Sequence, residues 1–180
     1  MSPKRLARIL WLLPAIFIVH DTEELLTIPG WLALHRLDLE RMAERNALAA
    51  SLVHTLATTT PQVAVGIGFL LIVFVAVTAA ASASLRRGPA LYIYASLLGI
   101  LFLHVHSHIG EGILFRGYSP GVITAILVII PGALIIYRAL FQASLLTPKS
   151  AVISALAGLL FFIPGLLLAH QLGRLVGPGR

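Results

Sequence analysis

A chain of 180 residues that is 58% hydrophobic and only 11% charged is not an ordinary water-soluble domain. Its net charge of +6 does not point to nucleic acid, because the basic residues gather at the ends of apolar runs: Lys4, Arg5 and Arg8, Arg86 and Arg87, Arg138 and Lys149, Arg174 and Arg180. Cysteine is absent, which removes thiolate ligands, disulfides and iron–sulfur chemistry.

In chain order, the first apolar run covers about 8–28, long enough for a bilayer that needs roughly 20 apolar residues. It follows a basic N-terminus as a signal peptide would, but no small-x-small cleavage site follows, so it reads as a retained first span. Pro29-Gly30 is expected to end that helix. From Trp31 to about residue 58, apolar Leu34, Leu37, Met42 and Leu48 alternate with Arg36, Asp38, Glu40, Arg41, Glu44 and Arg45. This amphipathic stretch is too polar to span and predicts an interfacial helix, with Trp31 at headgroup depth and His35 and His54 solvated.

Thr58-Thr59-Thr60-Pro61 then introduces a second span at about 62–83. Arg87-Gly88-Pro89 turns into a third at about 90–114, and Gly117-Tyr118-Ser119-Pro120-Gly121 turns into a fourth at about 120–142. A fifth covers about 151–172, with His170 snorkelling at its end. Pro131-Gly132 and Pro164-Gly165 fall inside spans and predict kinks. Small residues such as Gly66, Gly68, Ala76, Ala79, Ala155 and Gly158 allow close helix approach.

The expected fold is thus an all-α integral membrane protein: one transmembrane domain over 1–180, a compact bundle of about five spans with an amphipathic interfacial helix and no internal repeat. A cytoplasmic N-terminus places seven of the thirteen basic residues inside, favouring that orientation in a multi-pass protein of a prokaryotic-type plasma membrane.

Within this apolar frame, His20-Asp21-Thr22-Glu23-Glu24 interrupts the first span, where each unpaired charge costs several kcal/mol, by estimates of about 2.5 upward. At about 100° per residue, His20, Glu23 and Glu24 share an arc of roughly 100°, with Asp21 at its edge as a supporting candidate. Late in the third span lie His104, His106, His108 and Glu111. His104, His108 and Glu111 fall within about 60° of one another, whereas His106 points away and reads as a packing residue. His20/Glu23 and His108/Glu111 repeat one local pattern on two helices. Four of the seven acidic residues sit in spans beside histidines, although indifferent placement would leave them in loops. Pairing of Glu111 with nearby Arg116 is the structural alternative. Nitrogen and carboxylate donors without thiolate suit zinc, iron or manganese.

The chain resembles the integral membrane proteins grouped by an HXXEE motif, a family of undefined function. The resemblance rests on His20-Asp21-Thr22-Glu23-Glu24, and on His108 followed ten residues later by Tyr118-Ser119-Pro120-Gly121-Val122-Ile123-Thr124-Ala125. It implies a multi-span helical fold and a shared core of His20, Glu23, Glu24 and His108. Where the family typically has asparagine, this chain has His104, and Glu111 is not part of the family pattern.

The leading expectation is a membrane-embedded, metal-dependent enzyme, a hydrolase or an oxidase/oxygenase, acting on a small lipophilic substrate between the first and third spans. His20, Glu23, Glu24, His104, His108 and Glu111 are the candidate ligands for one or two divalent ions, zinc or iron. Glu24 and Tyr118 are the candidate catalytic groups, Tyr118 as a proton donor at the rim, with a place in the interfacial aromatic belt as its equal alternative. Two alternatives use the same cluster: a metal-free acid/base isomerase, or a proton- or ion-coupled transporter. The absence of a repeat argues against a typical transporter, although a homodimer would supply the missing elements. The expected partners are the lipid bilayer and the substrate, with no nucleic acid. Every version requires the first and third spans to meet.

Overall fold

The computed structural model describes residues 1–45 and 60–175, so His54 and much of the expected interfacial segment lie outside the described residues. Six helical segments and no strand occur among the described residues. They are α1 (Pro3–Leu10), α2 (Leu12–Ala43), α3 (Thr60–Ser84), α4 (Pro89–Leu114), α5 (Val122–Gln142) and α6 (Pro148–Arg174). Three of them, α3, α4 and α5, are long and apolar enough to cross a membrane.

Local chemistry sets the helix starts. Ser2 accepts from Arg5 N–H at 3.3 Å with Pro3 behind it, and Thr147 and Ser150 form a capping box ahead of α6. Between α1 and α2 only Trp11 intervenes. Just inside α2, Pro14 has no N–H to offer the carbonyl of Leu10 four residues earlier. The fully buried Tyr94 hydroxyl of α4 donates to that carbonyl at 2.8 Å, so a proline defect becomes a helix–helix contact.

The first span was expected to stop at Pro29-Gly30, but α2 runs through both to Ala43. Losing one amide donor is offset by tertiary contacts beyond it. The Trp31 indole donates to Tyr118 O at 2.9 Å, and its ring stacks on His35 and meets Phe115 edge-on. Trp31 is therefore buried against protein, and His35 packs in this cluster rather than standing in solvent. Further along, Leu34 and Leu37 are exposed beside the surface pairs Arg36–Glu40 and Arg41–Asp38.

The kink expected at Pro131 takes the form of a π-helical turn over Ala125–Ile129, immediately before the proline. A wider turn there accommodates a residue that brings a bulky ring and no amide donor. At Pro164, α6 remains one continuous helix.

Close packing is greatest between α4 and α6. A Cβ added at Gly99 would lie 2.5 Å from the Ala155 Cβ, so the glycine is what lets these backbones approach. By contrast, α2 and α4 do not pack closely along their backbones; each instead packs on α3 and on α5. Any contact between α2 and α4 at mid-length is left to long side chains.

Candidate metal centre

Long side chains bridge that separation. His20 and Glu24 sit one turn apart on α2, and His104 and His108 one turn apart on α4, so each pair presents one helix face. Glu24 Oε1 lies 3.2 Å from His108 Nε2 and 3.5 Å from the Nε2 atoms of His20 and His104. His108 Nε2 is 3.0 Å from His104 Nε2 and 3.2 Å from His20 Nε2. One donor atom from each residue falls within 4.8 Å of all the others. The expected meeting of the first and third spans is made through these atoms.

The donor set fits a metal ion. Tetrahedral ligands at about 2.0–2.1 Å stand about 3.3–3.4 Å apart. Five of the six donor–donor distances, from 3.0 to 3.5 Å, straddle that edge length, and the four donors as a set lie within 4.8 Å of one another, so the group could hold an ion with one wider edge. No Lys or Arg among the described residues pairs with Glu23, Glu24 or Glu111, so the alternative pairing of Glu111 with Arg116 is not formed.

The outer ring nitrogens of His20 and His104 fix their tautomers, whereas His108 Nδ1 is buried without a partner among the described residues. His20 Nδ1–H donates to Thr124 Oγ1 at 2.9 Å, and the threonine hydroxyl donates on to Glu23 Oε2 at 2.6 Å. His104 Nδ1–H donates to Ser107 Oγ at 3.1 Å, and that hydroxyl donates to His104 O at 2.6 Å. Because each hydroxyl has one proton, these assignments follow from the network and leave both Nε2 lone pairs facing Glu24. Outer hydrogen bonds of this kind orient metal-binding histidines.

Glu23 takes a different place from the one expected of a ligand. Its carboxylate accepts from Thr124 N–H at 2.8 Å, Ile123 N–H at 3.4 Å and the Tyr118 hydroxyl at 2.7 Å. Those amides open α5, whose N-cap residue, Gly121, has no side chain to cap them. Glu23 therefore caps α5 from across the bundle and meets the positive end of that helix. Tyr118, expected as a proton donor at the rim, donates to Glu23. Burial raises its phenol above the usual value of 10.0, Thr27 opposing and the Glu23 carboxylate adding to the effect, so it remains a donor at neutral pH.

Gly121 closes the centre from the α5 side. Its φ of +82° favours glycine, and a Cβ there would lie 2.8 Å from the Cε1 atoms of His20 and His108 and 3.1 Å from Glu24 Cγ. Ser119, fully buried, donates to His108 O at 3.0 Å and ties the same turn to α4. From the sequence alone neither Gly121 nor Thr124 has a role in the site. The available signal was a glycine directly before a helix with no capping side chain of its own.

The remaining candidates separate from the group. Glu111 is half-buried, lies outside the four-residue cluster and accepts no hydrogen bond among the described residues. His106 is exposed and donates from Nδ1 to Leu103 O, as its opposite direction on the helix predicts. Asp21 is buried on the wall of a cavity of about 730 Å³ that His20, Glu24 and His104 also line. The rest of that wall is mainly apolar, including Phe17, Phe74 and Leu97, and it reaches along α4 to Tyr92, about 18 Å from His104 by helical rise.

No curated protein and no solved structure matches the chain. The family model described as a protein of unknown function with HXXEE motif matches residues 11–136, a stretch containing every residue of the centre and of the turn that closes it. The chain belongs to the HXXEE-motif family.

Proposed function

We propose that this protein is a membrane-embedded, metal-dependent enzyme whose lipophilic substrate occupies the apolar cavity beside His20, Glu24, His104 and His108. One observation carries the reading: three imidazole Nε2 atoms and a carboxylate oxygen converge at ligand–ligand distances where an apolar cavity of about 730 Å³ meets its polar wall. Pockets of roughly 300–1,000 Å³ with a few convergent polar groups are the usual form of small-molecule sites. If bound by the four side chains with a further position left open, a divalent ion would supply Lewis acidity for hydrolysis if it is zinc, or redox chemistry for oxidation if it is iron. Glu24 binds at the centre of the group, Thr124 and Glu23 hold the His20 ring, and Gly121 keeps the α5 turn close enough to restrict water.

In the same proposal the chain crosses the bilayer about five times, α2 and α6 joining the three apolar helices, with α2 beyond Pro29 lying towards the interface. The basic residues favour a cytoplasmic N-terminus in a prokaryotic-type plasma membrane. The test is metal analysis of detergent-purified protein. Near-stoichiometric zinc, iron or manganese is the expected result. Protein that stays metal-free after incubation with all three ions would overturn the metal reading and leave acid/base chemistry on the same side chains.

A further inference from the structure

The cavity has a direction. On α4 its wall runs from Tyr92 to His104, about 18 Å by helical rise, and His104 is the last residue of that helix to reach it. Glu24 is likewise the last on α2. On these two helices the His/Glu group therefore stands at one end of the wall and not midway along it. Towards the other end, Tyr92 and Ile93 line the cavity and are 40% and 52% exposed, so the wall there meets the lipid-facing surface of the bundle. Between the two ends Leu97, Ile100 and Leu101 of α4 face Phe69, Leu70 and Val73 of α3. A polar group held against that stretch would lose its hydrogen bonds to water and gain none.

Two glycines on the α6 wall differ in a telling way. A Cβ at Gly158 would lie 2.8 Å from Ile100 Cδ1, so helix packing accounts for that glycine. At Gly165 nothing among the described residues lies within 4 Å of the place a Cβ would take. A glycine inside a helix costs stability relative to a residue with a side chain, and no helix contact calls for this one. What its absent side chain leaves is room in the cavity.

We propose that the cavity takes a single-chain lipid end on: the aliphatic chain lies along α4, and the group that reacts is at the end of that chain, beside His20, Glu24 and His104. This deepens the proposed function by naming the substrate class, and it rests on the cavity being the substrate site. Chemistry in the middle of a chain would need apolar wall on both sides of the His/Glu group, whereas on α2 and α4 the wall continues to one side only. Gly165 is a specificity residue here, acting through the space it leaves for the chain.

The test sets hexadecanamide against its isomer N-octyloctanamide. Each carries one neutral amide, at the chain end in the first and mid-chain in the second. Competition for the purified full chain in detergent is read by native mass spectrometry, with the metal content measured on the same sample. Hexadecanamide is expected to bind about tenfold or more tightly, the scale of burying an amide without its hydrogen bonds. Gly165→Leu is expected to keep the metal content, to fold with an unchanged or higher Tm, to bind hexadecanamide about tenfold more weakly and to bind the two isomers alike. Wild-type protein that binds the isomers equally, or prefers the mid-chain amide, overturns the proposal whether or not Gly165→Leu folds. A preference that survives in folded Gly165→Leu overturns the placement of the chain in this cavity. Metal-free protein that still prefers the terminal amide would count against the metal reading alone, and metal-loaded protein without the preference against this inference alone.

Discussion

The bundle carries the same histidine-glutamate spacing twice, His20/Glu23 on α2 and His108/Glu111 on α4, and puts the two copies to different uses. Both histidines enter the centre. Glu23, opposite the start of α5, finds two amides and the hydroxyls of Thr124 and Tyr118. Glu111 lies one turn from where α4 ends and accepts nothing among the described residues. Spacing along one helix determines which side chains share a face, but the element across from that face determines what they do. Adjacent Glu23 and Glu24 make the point at shorter range, one capping a helix and the other joining three imidazoles.

Several substitutions would break or sharpen that contrast. The largest effect is expected from Glu24→Ala or His108→Ala, which remove bound metal altogether in mass-spectrometric metal analysis; metal retained in both would place the centre elsewhere. Glu23→Gln should keep the stoichiometry in excess metal but weaken affinity by about 10- to 100-fold, as outer hydrogen-bond partners of ligating histidines typically do. Gly121→Ala should cost about tenfold in affinity, since an alanine at positive φ is strained by about 1–2 kcal/mol before it touches the two imidazoles.

A smaller effect, about two- to tenfold, is expected of Tyr118→Phe, which removes one donor from Glu23. Because the folded phenol is held above its usual 10.0, chiefly by burial, the wild-type contact is complete below about pH 10 and is lost as pH rises past the folded value. Tyr118→Phe should therefore lack that alkaline loss in a metal-competition titration. Least affected should be Glu111→Gln, within about twofold of wild type, as for a group outside the packed network. A Glu111→Gln loss as large as that of Glu23→Gln would erase the distinction between the two copies.

Much of the centre was legible from the chain because cost is legible. His20, Glu24, His104 and His108 stood out as ionisable groups in apolar runs, and helical periodicity paired them correctly on each helix. What local sequence could not reveal was partnership across elements. Pro29-Gly30 reads as a helix end only if nothing holds the next turn, and the Trp31 indole on Tyr118 does hold it. The assignment of Glu23 as a ligand rested on its arc, whereas its fate depends on an α5 start that lacks a capping side chain. Likewise, the bond between Tyr94 and Leu10 answers a proline defect 84 residues away in sequence, beyond the reach of any local pattern.

The cap that Glu23 provides also gives the chain an order of assembly. During synthesis His20, Asp21, Glu23 and Glu24 of α2 emerge before any partner on a later helix, His20 and Glu24 having only each other, one turn apart. The imidazoles of α4 arrive about 80 residues later, and the bare amides of α5 only after the turn at Gly121, with elongation at roughly 5–20 residues per second. Until then the charged groups of α2 lack their partners on the later helices and are poorly suited to hydrocarbon. The set is complete only once α5 docks, so the same carboxylate that steadies His20 would report that α5 is in place.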